Sequence, residues 1–333
     1  MKFNKIFLTL VILFLTSCGA KEAIEDALDV VNVDRKTIDT SIMGVNAFAN
    51  DSQFGSIDSQ YNEVKNTLRL GYVRILMNWD NGVQNSPNSP LNFSFYDSLI
   101  NGVPAGVEVL IVTTEIPSWM SNSANWQNNN PRTTWVNTWL RPLAARYANN
   151  SKVKAIQVWN EPNMEVNGDN SVMGFVNSPA TYAEFLSLAS STIRSVAPRL
   201  LVVNAATTAI NQNFPATLDY NEQMIQAGVL DAVDRFAIHY YGEQFERVVR
   251  NNGVADFLNQ NINKPIWVTE SGEQGFNKQL RYVERAWPFL KEKIPGISRF
   301  YYYQFTENTP PETTYGLKNP SSVSDLYVWL RDR

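Results

Sequence analysis

The sequence predicts a single (β/α)₈ barrel, and three observations carry the prediction. Apolar runs of strand length alternate with amphipathic runs of helix length, eight of each, over residues 40–333. The strand runs are almost unbroken in apolar residues, as parallel strands buried on both faces require. No linker, low-complexity stretch or internal repeat divides the region, and its length suits a fold that commonly takes about 250 residues.

Taken in order, a first strand is expected over 42–49, then a helix over 57–70 ending at Gly71. A strand over 72–78 leads through a Pro/Asn/Ser loop at 81–92 to a short helix near 94–101. The third strand covers 107–114, followed by a Trp- and Asn-rich loop at 117–132 and a helix over 134–148. The fourth covers 153–159, then a loop at 162–178 and a helix over 180–196. Strands over 200–206 and 236–241 precede helices near 218–229 and within 243–262. The seventh, 265–269, precedes a helix over 277–293, and the eighth, 297–305, a C-terminal helix near 322–331. Gly71, Gly228 and Gly296 fall near helix C-termini, where a left-handed residue is wanted. A doubly wound open sheet is the rival architecture. It usually carries a Gly-rich phosphate turn after an early strand, whereas here Asn50-Asp51-Ser52-Gln53-Phe54-Gly55 follows the first one.

Composition narrows the function. Lys plus Arg number 28 against 32 Asp plus Glu, a net charge of −4, so no basic excess exists to neutralise phosphates and nucleic acid is not an expected partner. One Cys and one His exclude a disulfide framework and a His/Cys metal centre. No cofactor is expected. Nine Trp, 14 Tyr and 17 Phe suit a large core, and also stacking on a flat neutral ligand such as a sugar ring.

The N-terminus reads as an address. Lys2 and Lys5 precede an apolar run from Ile6 to Leu15, too short to span a bilayer and typical of a signal peptide. Its end, Leu15-Thr16-Ser17-Cys18-Gly19, resembles the bacterial lipobox, in which the Cys is lipidated and becomes the mature N-terminus. The resemblance implies a signal peptide over 1–17, a lipidated Cys18 with a polar tether over 18–39, and a catalytic domain over 40–333. It also implies a lipid anchor in the bacterial cell envelope, with the outer membrane or cell surface as the expected location.

In a barrel of this kind the C-terminal ends of the strands line the active site. Strand four ends Val158-Trp159-Asn160-Glu161-Pro162 and strand seven ends Thr269-Glu270-Ser271-Gly272. The two Glu are 109 residues apart, the span of three βα units, which puts them across the mouth from one another. Adjacent strand residues point to opposite faces, so Asn160 and Glu161 can both reach the mouth only if the strand breaks there; Pro162 makes a break plausible.

Asn-Glu-Pro ending strand four and Thr-Glu-x-Gly ending strand seven resemble clan A of the glycoside hydrolases, which includes family 5 cellulases, family 39 xylosidases and family 128 endo-β-1,3-glucanases. Arg74 on strand two matches an Arg that hydrogen-bonds the nucleophile in that clan. His239-Tyr240-Tyr241 matches the His-x-Tyr of families 5 and 39, and Pro117-Ser118-Trp119 the Pro-Ser-Trp of family 39. Strand eight departs: the clan usually has a Trp platform there, and Tyr303 is the expected substitute. The resemblance implies Glu161 as acid/base and Glu270 as nucleophile of a retaining β-glycosidase. Arg74, Trp119, Asn160, His239, Tyr241 and Tyr303 would bind the substrate, with Asn160 on the sugar 2-hydroxyl. Retention needs two carboxyl groups about 5–5.5 Å apart, one protonated and one ionised. Arg74 would keep Glu270 charged. Glu161, facing aromatics and the charge of Glu270, would hold its proton.

A lone barrel leaves no room for the extra β-sandwich of family 39 xylosidases. It resembles rather an endo-acting glucanase that works as a monomer on a β-linked chain. Transglycosylation, exo-action and a non-catalytic glycan-binding lipoprotein are the alternatives; the last should have lost a carboxylate, and this chain keeps both.

Overall fold

The structure, a computed structural model, describes residues 32–48 and 50–333. The signal peptide and Cys18 lie outside the described residues. Eight parallel strands form the barrel: β1 (Met43–Ala47), β2 (Tyr72–Asn78), β3 (Glu108–Thr114), β4 (Val153–Val158), β5 (Leu201–Asn204), β6 (Phe236–Tyr241), β7 (Ile266–Gly272) and β8 (Ile297–Tyr302). They pair in the order β5-β4-β3-β2-β1-β8-β7-β6. The remaining seam, between β5 and β6, is held by a parallel bridge from Val203 to Arg235. The expected (β/α)₈ barrel is therefore the observed one.

Each strand divides its side chains by parity. On β2, Val73, Ile75 and Met77 face outward into the main core, shared with the helices, while Tyr72 and Arg74 face inward. Inside, Leu110, Ala155, Val203, Ala237, Trp267 and Tyr301 fill the lumen, small Ala opposite large aromatic rings. Below them the Arg299 guanidinium lies 3.6 Å from the Tyr72 ring centre and 4.7 Å from that of Trp267. These groups plug the N-terminal end of the barrel, so a ligand can enter only from the other end.

The outer ring comprises α1 (Ile57–Asn62, continued by a wide turn over Glu63–Thr67), α2 (Ser94–Gly102), α3 (Pro131–Trp135 running on through Arg141–Tyr147), α4 (Pro179–Val196), α5 (Ala216–Gln226), α6 (Val254–Asn261), α7 (Gln279–Lys293) and α8 (Asp325–Asp332). Helix α3 starts earlier than its apolar pattern suggests. Asn130 caps it, its side chain accepting from the N–H groups of Arg132 and Thr133 at 2.9 and 3.2 Å, and Pro131 takes the first turn, where a missing N–H costs nothing. Trp135 and Trp139 from α3 are fully buried, as a core reading of that helix expects.

Four local expectations change. Only Gly228 of the three glycines is left-handed (φ 91°); after α1 that role falls to Arg69 (φ 52°). The loop over 162–178 contains a short helix, Gly168–Met173. Strand β7 runs on past 269 to Gly272. Residues 33–39, expected within the tether, lie along α7. Val33 and Ile38 are buried, Arg285 donates to the Val33 carbonyl at 2.7 Å, and Lys36 pairs with Glu292 at 2.6 Å.

Candidate active site

Two backbone irregularities bring the carboxylates inward. At the end of β4, Trp159 (φ 76°) and Glu161 (φ 44°) are both left-handed, a conformation uncommon outside glycine and enriched at functional sites. The turn lets Asn160 and Glu161 both reach the mouth, which strand alternation alone would forbid. The surroundings hold it in place. Trp159 is fully buried and donates from Nε1 to Asn170 Oδ1 at 2.7 Å. The buried Asn170 in turn donates to the carbonyls of Glu161 and Met164 at 2.8 and 2.9 Å. The Glu161 N–H donates to the Ala206 carbonyl at 2.9 Å.

On β7 the device is a bulge. Pairing with β6 runs Ile238 to Val268 and then His239 to Glu270, skipping Thr269. Thr269 and Glu270 therefore both face inward. Gly272 follows because nothing larger fits: a Cβ there would stand 2.4 Å from the Tyr303 carbonyl oxygen.

Around Glu270 the polar groups form one closed network. Arg74 donates from Nη1 to Glu270 Oε1 and to Asn46 Oδ1, each at 2.7 Å. It also donates from Nε to Gln157 Oε1 at 2.8 Å and from Nη2 to Asn160 Oδ1 at 2.9 Å. The last bond fixes which way the Asn160 amide points and leaves its NH₂ to donate elsewhere. Tyr241 donates its hydroxyl to Glu270 Oε2 at 2.8 Å. His239, fully buried, sits between the acids, with Nδ1 2.9 Å from Glu161 Oε1 and Nε2 3.5 Å from Glu270 Oε1. Ligand atoms of Glu161, His239 and Glu270 all lie within 4.8 Å of one another.

Burial alone would raise the Glu270 carboxyl. The neighbouring His239 imidazole, the Arg74 guanidinium and the Tyr241 hydroxyl outweigh it, and the net direction is downward. Glu270 is thus an ionised carboxylate at neutral pH. Burial, then the charge of Glu270, keeps the Tyr241 hydroxyl protonated far above the usual tyrosine range. The same causes push Tyr303 up to about 12. Glu161, His239 and Glu270 are close enough to share a small cation. A cation there would meet the Arg74 guanidinium already bound to Glu270, so the arrangement suits carboxylate chemistry better than a metal.

Of the residues singled out from sequence, Arg74, Asn160, Glu161, His239, Tyr241 and Glu270 form one cluster. Tyr303 joins through its ring, 6.2 Å from that of Tyr241. Trp119 stands apart at the rim, edge-on to Trp79 at 5.3 Å and donating from Nε1 to the Gln84 carbonyl. Sequence reasoning passed over three contributors. Asn46 and Gln157 are buried polar residues inside apolar strand runs, and that mismatch was their signal, since a buried polar group needs partners. Tyr315 packs its ring 5.5 Å from Tyr241 and 6.0 Å from Tyr303. It comes from the long loop after β8, where Glu307 accepts from the N–H groups of Tyr315 and Gly316; no pattern marks it.

A plugged barrel whose open mouth carries two facing glutamates, one of them charge-paired, is the architecture of a clan A glycoside hydrolase. The chain belongs to the cellulase family, glycosyl hydrolase family 5, whose model matches residues 33–306. No curated protein sequence matches it. Solved structures with a similar fold include a family 39 glycoside hydrolase from the gut symbiont Bacteroides cellulosilyticus WH2 (16% identity, TM-score 0.62, covering 89% of this chain and 63% of that one). The endo-1,4-beta-mannanase of Rhizomucor miehei is also similar (14%, 0.59, 91% and 99%), as is endo-glycoceramidase II from Rhodococcus sp. (14%, 0.60, 90% and 81%). The chain thus spans under two thirds of the family 39 enzyme and nearly all the length of the mannanase. It is a glycosidase acting on O-glycosyl compounds, and its substrate is a carbohydrate.

Proposed function

We propose that the chain is a retaining, endo-acting β-glycanase working by double displacement. One observation carries the retaining reading: carboxylate oxygens of Glu161 and Glu270 within 4.8 Å. That is close to the 5–5.5 Å (approximately) of retaining pairs and short of the roughly 6.5–9.5 Å that leaves room for an attacking water. In the first step the Glu161 proton passes to the glycosidic oxygen, the C1–O bond breaks, and Glu270 bonds C1. In the second, Glu161 takes a proton from water, whose oxygen displaces Glu270 from C1. Asn160, with its carbonyl oxygen held by Arg74, offers its NH₂ to the sugar 2-hydroxyl. The endo reading is supported by the chain's matching nearly the whole of an endo-mannanase.

The test is a polysaccharide panel (β-1,3-glucan, β-1,4-glucan, mannan, xylan, galactan) read by product size. Early release of mixed oligosaccharides is expected from one of them. Monosaccharide as the sole early product would contradict endo-action.

Arg74→Met should shift the acid limb of the kcat/KM profile to higher pH. Its charge is a cause of the lowered Glu270 value, so without it Glu270 protonates at higher pH and the nucleophile is lost earlier on acidification. The same linkage governs stability. The contribution of a depressed carboxyl is present above its unfolded value and is lost as pH falls through the folded one. Breaking this buried pair should cost about 3–5 kcal/mol of unfolding free energy, read by denaturant titration.

A further inference from the structure

The two ends of the barrel differ in charge. Turns that feed β2, β4, β5 and β7 from the plugged end carry Arg69, Lys152, Arg199 and Lys264. At the same end α7 closes with Lys291 and Lys293, and the chain after α8 ends in Arg333. None of these cations is buried. Several are held by backbone oxygens rather than by acids. Arg199 donates to the carbonyls of Ala148, Asn150 and Val153 at 2.9, 2.7 and 2.8 Å. Lys152 donates to that of Asn101 at 3.0 Å and Arg333 to that of Leu68 at 2.7 Å. A carbonyl carries only a partial charge, so positive charge remains after it is met. The acids of this end are mostly paired already. Glu108, Asp234, Glu292 and Asp332 face Arg299, Arg194, Lys36 and Arg331, and Asp39 and Asp231 offset only part of the surplus. The mouth is the reverse: its loops carry Asp80, Glu115, Asp169, Glu273 and Glu312. The whole chain has a net charge of −4, so a positive floor leaves the rest of the molecule more negative than that.

We propose that the plugged, cationic end of the barrel docks on an anionic lipid surface and turns the active-site mouth away from it. A negative surface attracts one end of such a molecule and repels the other, so charge alone sets the orientation. The course of the chain favours a lipid over other polyanions. Residues 33–39 run along α7 to this floor, with Lys36 paired to Glu292. Cys18, in its lipobox-like setting, lies 15 residues before Val33, a reach of at most about 50 Å. An acylated Cys18 would keep the floor at a high effective concentration beside the bilayer, where weak attraction is enough to orient it. The mouth is then presented to a polymer outside. This inference is independent of the retaining and endo readings above.

The experiment sediments the polypeptide from Gly19 to Arg333, which keeps every described residue, with vesicles. Equal parts phosphatidylglycerol and phosphatidylcholine are compared with phosphatidylcholine alone. The bound fraction should be at least about tenfold higher on the anionic vesicles at about 20 mM NaCl, and should be lost at about 500 mM, where charges are screened within a few ångströms. On the anionic vesicles an amine-acetylating reagent should spare Lys264 and Lys293 and still modify Lys278, which is exposed beyond β7. The triple variant Lys152→Gln, Lys264→Gln, Lys293→Gln should lose most of the binding while its melting temperature and its kcat/KM on a soluble glycoside stay unchanged. Equal sedimentation with neutral vesicles, binding indifferent to salt or to the triple variant, or protection of Lys278 with Lys264 left reactive overturns the proposal. Retention on heparin without sedimentation on anionic vesicles overturns the lipid assignment. Each of these failures leaves the catalytic reading standing, since that is tested by glycoside turnover.

Discussion

Glu270→Ala is expected to lower kcat on β-glycosides by about 10⁴-fold or more, the scale on which a lost nucleophile is felt. The reason is geometric. No other carboxylate among the described residues is held by both the Arg74 guanidinium and the Tyr241 hydroxyl, one on each oxygen, and water cannot replace a charged oxygen fixed beside C1. Removing the carboxylate also leaves a small positive cavity lined by Arg74. Azide, a compact anion, should occupy it and attack from the face where Glu270 stood, giving an α-glycosyl azide and restoring turnover. A chromogenic panel gives the direct comparison: equal signal from the parent enzyme and the variant would sink the assignment.

Glu161→Ala should behave differently. Loss of a general acid costs about 10²–10⁴-fold, and the loss should depend on the leaving group. Glycosides with a poor leaving group need the proton and should lose the most. Activated aryl glycosides need none for the first step, so their glycosyl-enzyme should form in a burst and then resolve slowly. Azide here attacks the glycosyl-enzyme from the side of Glu161 and should yield a β-glycosyl azide. Opposite anomers from the two variants would separate the roles of two residues that the fold places side by side; the same anomer from both would contradict the assignment.

The barrel was legible because β/α alternation and buried parallel strands leave a periodic mark on every segment. The two glutamates were legible because each ends an apolar run, at Asn160-Glu161-Pro162 and at Glu270-Ser271-Gly272. What brings them inward was not. The left-handed backbone at Trp159 and Glu161 and the skipped Thr269 depend on partners far away in the chain, such as Asn170 and the Ala206 carbonyl. Strand β7 was read as ending at Thr269 because its last three residues are not apolar, yet they pair with β6 through Tyr241 and Gly272. Asn46 and Gln157 are polar residues inside apolar strand runs, a signal the sequence reading passed over, and only the assembled barrel shows that both hold Arg74. Tyr315 and Glu307 sit in a loop whose course follows no period.

Arg74 on β2 is gripped at once from β1 by Asn46, from β4 and its end by Gln157 and Asn160, and from β7 by Glu270. Those strands meet only when the cylinder is complete. The reactive constellation therefore has no partly assembled form. Chemical competence emerges at the moment of closure, and heat inactivation is expected to coincide with global melting rather than run ahead of it, as activity and circular dichroism followed through one thermal ramp would show.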